Sequence, residues 1–252
     1  MKHTVLSHKE SFEIVFAKLK EGKPFSFVRF GDGEYISMYK SSISQIVDSN
    51  RFFVTKELQD EIIECYNIED ENFLAGTMLN DLLPHQMMKT ENRIQQDLLP
   101  DLVEREKMLA MSCLFETFLT NPGRFKDFSN ELKKTSTMFI CNYNHANITK
   151  VYGEGYYVKI PVTNCYATID TWYPEILSNI DKVDKIVLSA GFSSNVVAKR
   201  LFKAGIKKIV LDVGSLSDAF IFHTDIRKRI KSRMFMKRVE TQIYRNAKVL
   251  LR

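Results

Sequence analysis

Lys185-Ile186-Val187-Leu188-Ser189-Ala190-Gly191-Phe192-Ser193-Ser194-Asn195 reads as an apolar strand, a glycine turn and a helix start. The pattern returns in Lys208-Ile209-Val210-Leu211, a strand that ends at Asp212-Val213-Gly214. Working back from these, Thr137-Met138-Phe139-Ile140-Cys141 is a strand that stops at Asn142-Tyr143-Asn144-His145, and Tyr156-Tyr157-Val158-Lys159-Ile160 stops at Pro161. Helical stretches lie between them, near 167–180 and 193–204. Strands that are apolar throughout and alternate with helices predict a mostly parallel sheet covered on both faces.

Further back, Phe12, Val15, Phe16 and Leu19 mark a helix closed by Gly22-Lys23-Pro24. An opening strand follows, then a helix over about 55–66 with Leu58, Ile62 and Ile63 as its apolar face. Phe73-Leu74-Ala75-Gly76 is a short strand, and 80–130 reads mainly as helices, broken at Asn121-Pro122-Gly123. At the far end Met236, Val239, Ile243, Ala247 and Leu250 fall at helical spacing. No internal repeat or low-complexity linker interrupts the pattern. The expected organisation is one α/β domain over 1–223 with a helical insertion, and a basic helical extension over 224–252.

With 252 residues, 44% of them hydrophobic and 27% charged, the chain has the composition of an ordinary globular domain. Cys65, Cys113, Cys141 and Cys165 are scattered, which predicts buried thiols rather than disulfides or a zinc site. No long apolar segment is present, so a cytoplasmic protein is expected. The net charge of +5 is uneven: residues 224–252 carry ten Lys/Arg against two Asp/Glu, and the rest carries 26 against 29. That basic end reads as a docked helix with a solvated face, or as peripheral contact with an anionic membrane. Nucleic acid is not expected, because no reader motif accompanies the charge.

The opening strand carries the densest chemistry, Phe27-Val28-Arg29-Phe30-Gly31-Asp32-Gly33-Glu34. Ligands of open α/β sheets bind at carboxyl strand ends. If the chain stays extended past Phe30, Asp32 and Glu34 point the same way and converge on one divalent cation, with Gly33 between them leaving room for a ligand. Arg29 adds a fixed positive charge. Taken bare, Asp-x-Glu is also how a helix begins. The turn at Gly191 offers a helix N-terminus to phosphate, with Ser193 or Ser194 adding a hydrogen bond, or else Ser and Asn simply cap that helix.

The string from Arg29 to Glu34 resembles the signature of the GT-D-type glycosyltransferases, a metal-dependent, Rossmann-like family. The resemblance extends to Asn164-Cys165-Tyr166, to the glycine turn at Gly191 with Ser193 and Ser194, and to Asp212-Val213-Gly214. It runs from about Phe25 to Asp218 and is weak between 40 and 130. It implies a hexosyltransferase that takes a UDP-sugar, UDP-glucose first, with Mn²⁺ or Mg²⁺ on Asp32 and Glu34. Arg29, Asp32 and Glu34 would be catalytic. Gly31, Gly33, Asn164, Tyr166, Gly191, Ser193, Ser194 and Asp212 would bind the nucleotide sugar, Tyr166 against the base. The acceptor would be a glycan, glycoprotein or lipid-linked precursor. In one departure, Ser215 stands where the family commonly has histidine; His145, Asp218 and His223 are substitutes. Two rivals are a non-catalytic nucleotide or glycan binder of the same fold, and an S-adenosylmethionine methyltransferase suggested by Val210-Leu211-Asp212-Val213-Gly214-Ser215. In methyltransferases that strand opens the domain, whereas here it comes late.

Overall fold

The structure, a computed structural model, describes residues 4–39, 43–47, 50–77, 105–142 and 145–217. The elements, in chain order, are β1 (Thr4–Val5), α1 (His8–Glu21), β2 (Phe25–Phe30), α2 (Asp32–Tyr39), β3 (Ile43–Val47), β4 (Asn50–Val54), α3 (Lys56–Tyr66), β5 (Phe73–Thr77), β6 (Lys107–Ala110), α4 (Cys113–Thr120) and α5 (Pro122–Lys133). They continue with β7 (Thr137–Cys141), α6 (His145–Tyr152), β8 (Tyr156–Lys159), a 3-10 turn (Cys165–Thr168), α7 (Ile169–Asn179), β9 (Lys185–Ser189), α8 (Phe192–Lys203), β10 (Ile209–Asp212) and a last 3-10 turn (Gly214–Ser217).

Eight strands form one sheet in the order β1-β6-β5-β2-β10-β9-β7-β8, every pair parallel. Helices cover both faces. Val28 and Phe30 of β2 pack with Met38, Leu58, Ile62, Trp172 and Val196 on the face of α2, α3, α7 and α8. Phe25 and Phe27 pack with Phe12, Phe16, Phe118, Phe128 and Tyr152 on the face of α1, α4, α5 and α6. Burial on two faces explains why β2 is apolar without alternation. Phe27 and Phe30 are fully buried, and truncating such a ring to alanine costs about 3–5 kcal/mol.

Helix boundaries follow local chemistry. Ser7 and Glu10 form a reciprocal capping box at the start of α1, and Gly22 ends it at φ 69°. Thr55 caps α3 by accepting from the Leu58 N–H.

The expected strands and helices over 137–204 are present. Several elements within the described residues were not expected: the edge strand β1, helix α2, the antiparallel hairpin β3–β4, and β6 inside a stretch read as helical. Helix α6 also follows β7, beginning at His145. The first half of the stretch read as helical (80–104) and the whole extension 224–252 lie outside the described residues.

The connection from β7 to β8 runs through α6 on one face, and the connection from β9 to β10 runs through α8 on the other. The paired ends of β7 and β9 are therefore a topological switch point, where α/β sheets leave a crevice for ligands.

Candidate active site

Arg29 and Asp212 end adjacent strands. The pairing of β2 with β10 stops at Phe27–Leu211, so both charged residues lie just past the ladder. Arg29 Nε is 3.3 Å from Asp212 Oδ2, with the arginine side chain 21% exposed and the aspartate 5%. The other carboxylate oxygen, Oδ1, accepts from the Gly214 N–H at 2.9 Å, and Ser189 Oγ donates to the Gly214 carbonyl. Gly214 has φ +51°, and a Cβ there would fall within 1.5 Å of Arg29 Nη2. Only glycine lets the guanidinium cross this turn, which gives the Asp-x-Gly spacing a steric reason. Burial pushes the Asp212 carboxyl up, against the pull of Arg29 and the Gly214 N–H.

Glu34 joins this cluster from α2. Its Oε2 accepts from the Gly31 N–H at 2.9 Å, closing the first turn of the helix. Burial pushes its carboxyl up to about 7; the Gly31 N–H and Arg29 oppose the rise, and the charge of Asp212 adds to it.

Two sequence expectations are corrected here. Asp32-Gly33-Glu34 is not extended: Asp32 is the first residue of α2 and Glu34 lies in its first turn. The extended backbone on which that shared cation site rested is therefore absent. Nor does Gly33 leave room for a ligand. A Cβ on it would lie 2.7 Å from Phe192 Cε1, so the space is filled by the first side chain of α8. Gly31 is likewise enclosed, by Glu34 and Met111.

The second group of residues surrounds a cleft of about 340 Å³ lined by Thr55, Glu57, Asn164, Tyr166, Phe192, Ser193 and Arg200 among others. Gly191 precedes α8 at φ 56°, ψ −137°, a conformation open to glycine alone, with nothing within 4 Å of where a Cβ would stand. Ser193 lines the cleft; Ser194 is buried, and its Oγ accepts from the Ala190 N–H at 3.1 Å. Ser194 also helps to hold the Asp212 carboxyl down, which places α8 beside the charged cluster. Asn164 is the one non-glycine among the described residues with positive φ, at 52°. Such strain persists where the surroundings impose it. Trp172 Nε1 donates to the carbonyl of the next residue, Cys165, at 3.1 Å.

Arg29, Glu34, Asp212 and Ser194 thus form one cluster, and Asn164, Tyr166 and Ser193 form the cleft beside it. Sequence reading missed Arg200, Thr55, Glu57 and Phe192 in the cleft, which carry no local motif. His145 is exposed at the start of α6, its ring 5.5 Å from that of Tyr157. Asp218 and His223 lie outside the described residues. Cys65, Cys113 and Cys141 are buried and Cys165 half-buried, all as free thiols. No helix among the described residues is long and apolar enough to cross a membrane.

Glu34, half-buried, and Asp212, buried, bring two carboxylates near one guanidinium, oxygen donors of the kind a hard divalent cation takes. Among the described residues no three His, Cys, Asp or Glu side chains converge. What fits is the mode in which one or two carboxylates hold Mg²⁺ or Mn²⁺ and ligand phosphates and water complete the shell.

No protein-family model matches the chain, and no curated protein matches it. Two solved structures do, one of them substituted with selenomethionine, both of domain of unknown function 1792, described as having a distinct glycosyltransferase fold. Each is 16% identical, with a TM-score of 0.60 over 86% of this chain and 79% of theirs. The chain has that fold. It is the fold implied by the resemblance at Arg29–Glu34, Gly191 and Asp212. The methyltransferase alternative finds no support in these neighbours.

Proposed function

We propose that the chain is a glycosyltransferase that moves a hexose, glucose first among the candidates, from a UDP-sugar to a glycan, glycoprotein or lipid-linked acceptor. The observation that carries this reading is the placement of the Arg29–Asp212 cluster directly beside a nucleoside-sized cleft at the carboxyl ends of a glycosyltransferase-fold sheet. Tyr166 and Asn164 would receive the base and ribose, and the start of α8 at Gly191 and Ser193 would face the diphosphate.

In the transfer, an acceptor hydroxyl oxygen bonds to the anomeric carbon as the bond from that carbon to the diphosphate oxygen breaks. The electron pair leaves with the diphosphate, and the hydroxyl proton passes to a base. Arg29, held rigid by Asp212 and Gly214, supplies preorganised positive charge where the leaving group gains negative charge. Mn²⁺ or Mg²⁺ would be held by Glu34 and Asp212, rather than by Asp32 and Glu34 as the extended reading had it, together with the donor phosphates, and when bound would neutralise the same charge.

A screen of nucleotide sugars for UDP release, with metal omitted and then restored, tests reaction class, donor and cofactor together. Release from one donor that depends on metal supports the reading. The second reading is a binder without turnover, favoured by the engagement of Ser194 and Glu34 inside the fold. Tight UDP binding with no release from any donor would select it. The extension 224–252 is proposed to touch anionic membrane; equal pelleting with liposomes of the chain with and without it would reject that.

A further inference from the structure

We infer that Asn195 is a positioning residue for Arg29: its carboxamide takes the place of a missing ladder bond at the end of β2 and so fixes where the guanidinium meets an anionic ligand. The ligand class, a nucleoside diphosphate, rests on the proposed function; the positioning role does not.

The register of β2 against β10 runs Phe25–Ile209, Ser26–Val210, Phe27–Leu211. The Ser26 N–H bonds toward β5, so Phe25, Phe27 and Arg29 turn their backbone groups toward β10. Continued by two residues, the ladder would pair Arg29 with Val213 and give the Arg29 carbonyl to the Gly214 N–H. That N–H is already bonded to Asp212 Oδ1, and the Val213 N–H goes to the Leu188 carbonyl of β9. The strands therefore part at this point. The Arg29 carbonyl is claimed instead by Asn195 Nδ2, 3.0 Å away and 166 residues distant in sequence.

Asn195 is fully buried in α8, directly after the two serines that face the cleft and Asp212. A carbonyl can only accept, so it dictates which end of the amide faces it. Without that donor the Arg29 carbonyl would lose its partner, and Arg29 would be held only through the pairing of β2 with β5, leaving its place against Asp212 and Gly214 less fixed. The bond also fixes Arg29 to the helix whose N-terminus borders the cleft, so that guanidinium and helix start move as one body.

The test compares Asn195→Ala and the isosteric Asn195→Asp with Val196→Ala, a buried apolar truncation on the same helix. UDP and uridine binding are measured by calorimetry, and the Arg29 Nε–H signal by NMR. The expected result is about a tenfold loss of UDP affinity in both Asn195 variants, with uridine affinity unchanged. Val196→Ala should lower the melting temperature and leave UDP affinity alone. In an Arg29→Ala background, Asn195→Ala should cause no further loss. Full UDP affinity in Asn195→Ala, or losses that add in the double variant, would overturn the inference. If the parent chain binds no UDP, the nucleotide reading fails, and the NMR decides the positioning role: the Arg29 Nε–H signal should shift and exchange faster in Asn195→Ala but not in Val196→Ala. An unchanged signal would reject it.

Discussion

The ring of Phe192 rests on Gly33, so closely that a Cβ at position 33 would lie 2.7 Å from Cε1 and 2.9 Å from Cζ. Helices α2 and α8 therefore meet through a glycine beside both the charged cluster and the cleft. Gly33→Ala forces the ring to move, and overpacking of this kind costs about 1–3 kcal/mol. Phe192→Leu should recover part of that loss in the double variant. Denaturant midpoints for the two single variants and the double would check it; strictly additive losses would mean that the contact is not the cause.

Glu34 gives stability a defined pH dependence. Its folded-state carboxyl is raised from 4.5 to about 7. Below the unfolded value both states hold the proton and the contribution is complete. As pH rises toward 7 the unfolded chain ionises first, so stability falls, and above 7 the loss is finished. The span corresponds to at most about 3 kcal/mol. Asp212, also raised, acts in the same direction. Urea midpoints between pH 5 and 8 should therefore decline in the parent chain and decline less in Glu34→Gln, which keeps an acceptor for the Gly31 N–H.

How far the sequence could be read depended on burial and on distance along the chain. Strands β2, β7, β9 and β10 announce themselves because helices cover both of their faces, which demands unbroken apolar runs. Strand β6, Lys107-Met108-Leu109-Ala110, has good helix formers and is a strand only because it pairs with β1 and β5. Helix α2 was hidden by Gly31 before it and Gly33 within it, which read as the end of a strand, while the packing of Phe192 that requires Gly33 lies far along the chain. In the candidate site, Arg29 and Asp212 were visible as charges closing apolar strands. Their pairing, and the roles of Asn195 and Arg200, depend on the strand order and on how α8 packs, which no local pattern encodes.

Lys199 ties α8 to α3. Its side chain is 7% exposed and contacts Glu61 and, at 2.8 Å, Glu64. Arg200 also binds Glu61, and Lys203 also binds Glu64. Lys199→Met therefore leaves each carboxylate one cation, and the expected cost is about 1–3 kcal/mol, below the range for stranding a buried charge. Lys199 and Lys203 hold the Glu64 carboxyl down at about 2. Its contribution is present above the unfolded value near 4.5 and is lost as pH falls toward 2. In Lys199→Met the folded value is held down less, so that loss should be smaller and finish at higher pH, and acid-unfolding curves of the two proteins should converge at the acid end.

Asn164 separates stability from binding. Its left-handed backbone, at φ 52° and ψ 39°, is strained for most residues and free of strain for glycine. Asn164→Gly should therefore leave stability within about 1 kcal/mol of the parent or raise it, since the relief of strain opposes the greater freedom of the unfolded chain. Asn164→Val adds a branched side chain at positive φ and should cost about 1–3 kcal/mol. If the side chain serves the cleft it lines, both variants should lose nucleoside affinity to a similar degree despite opposite effects on stability. Paired melting and uridine titrations would show this; affinity that followed stability would mean that Asn164 only shapes the turn before α7.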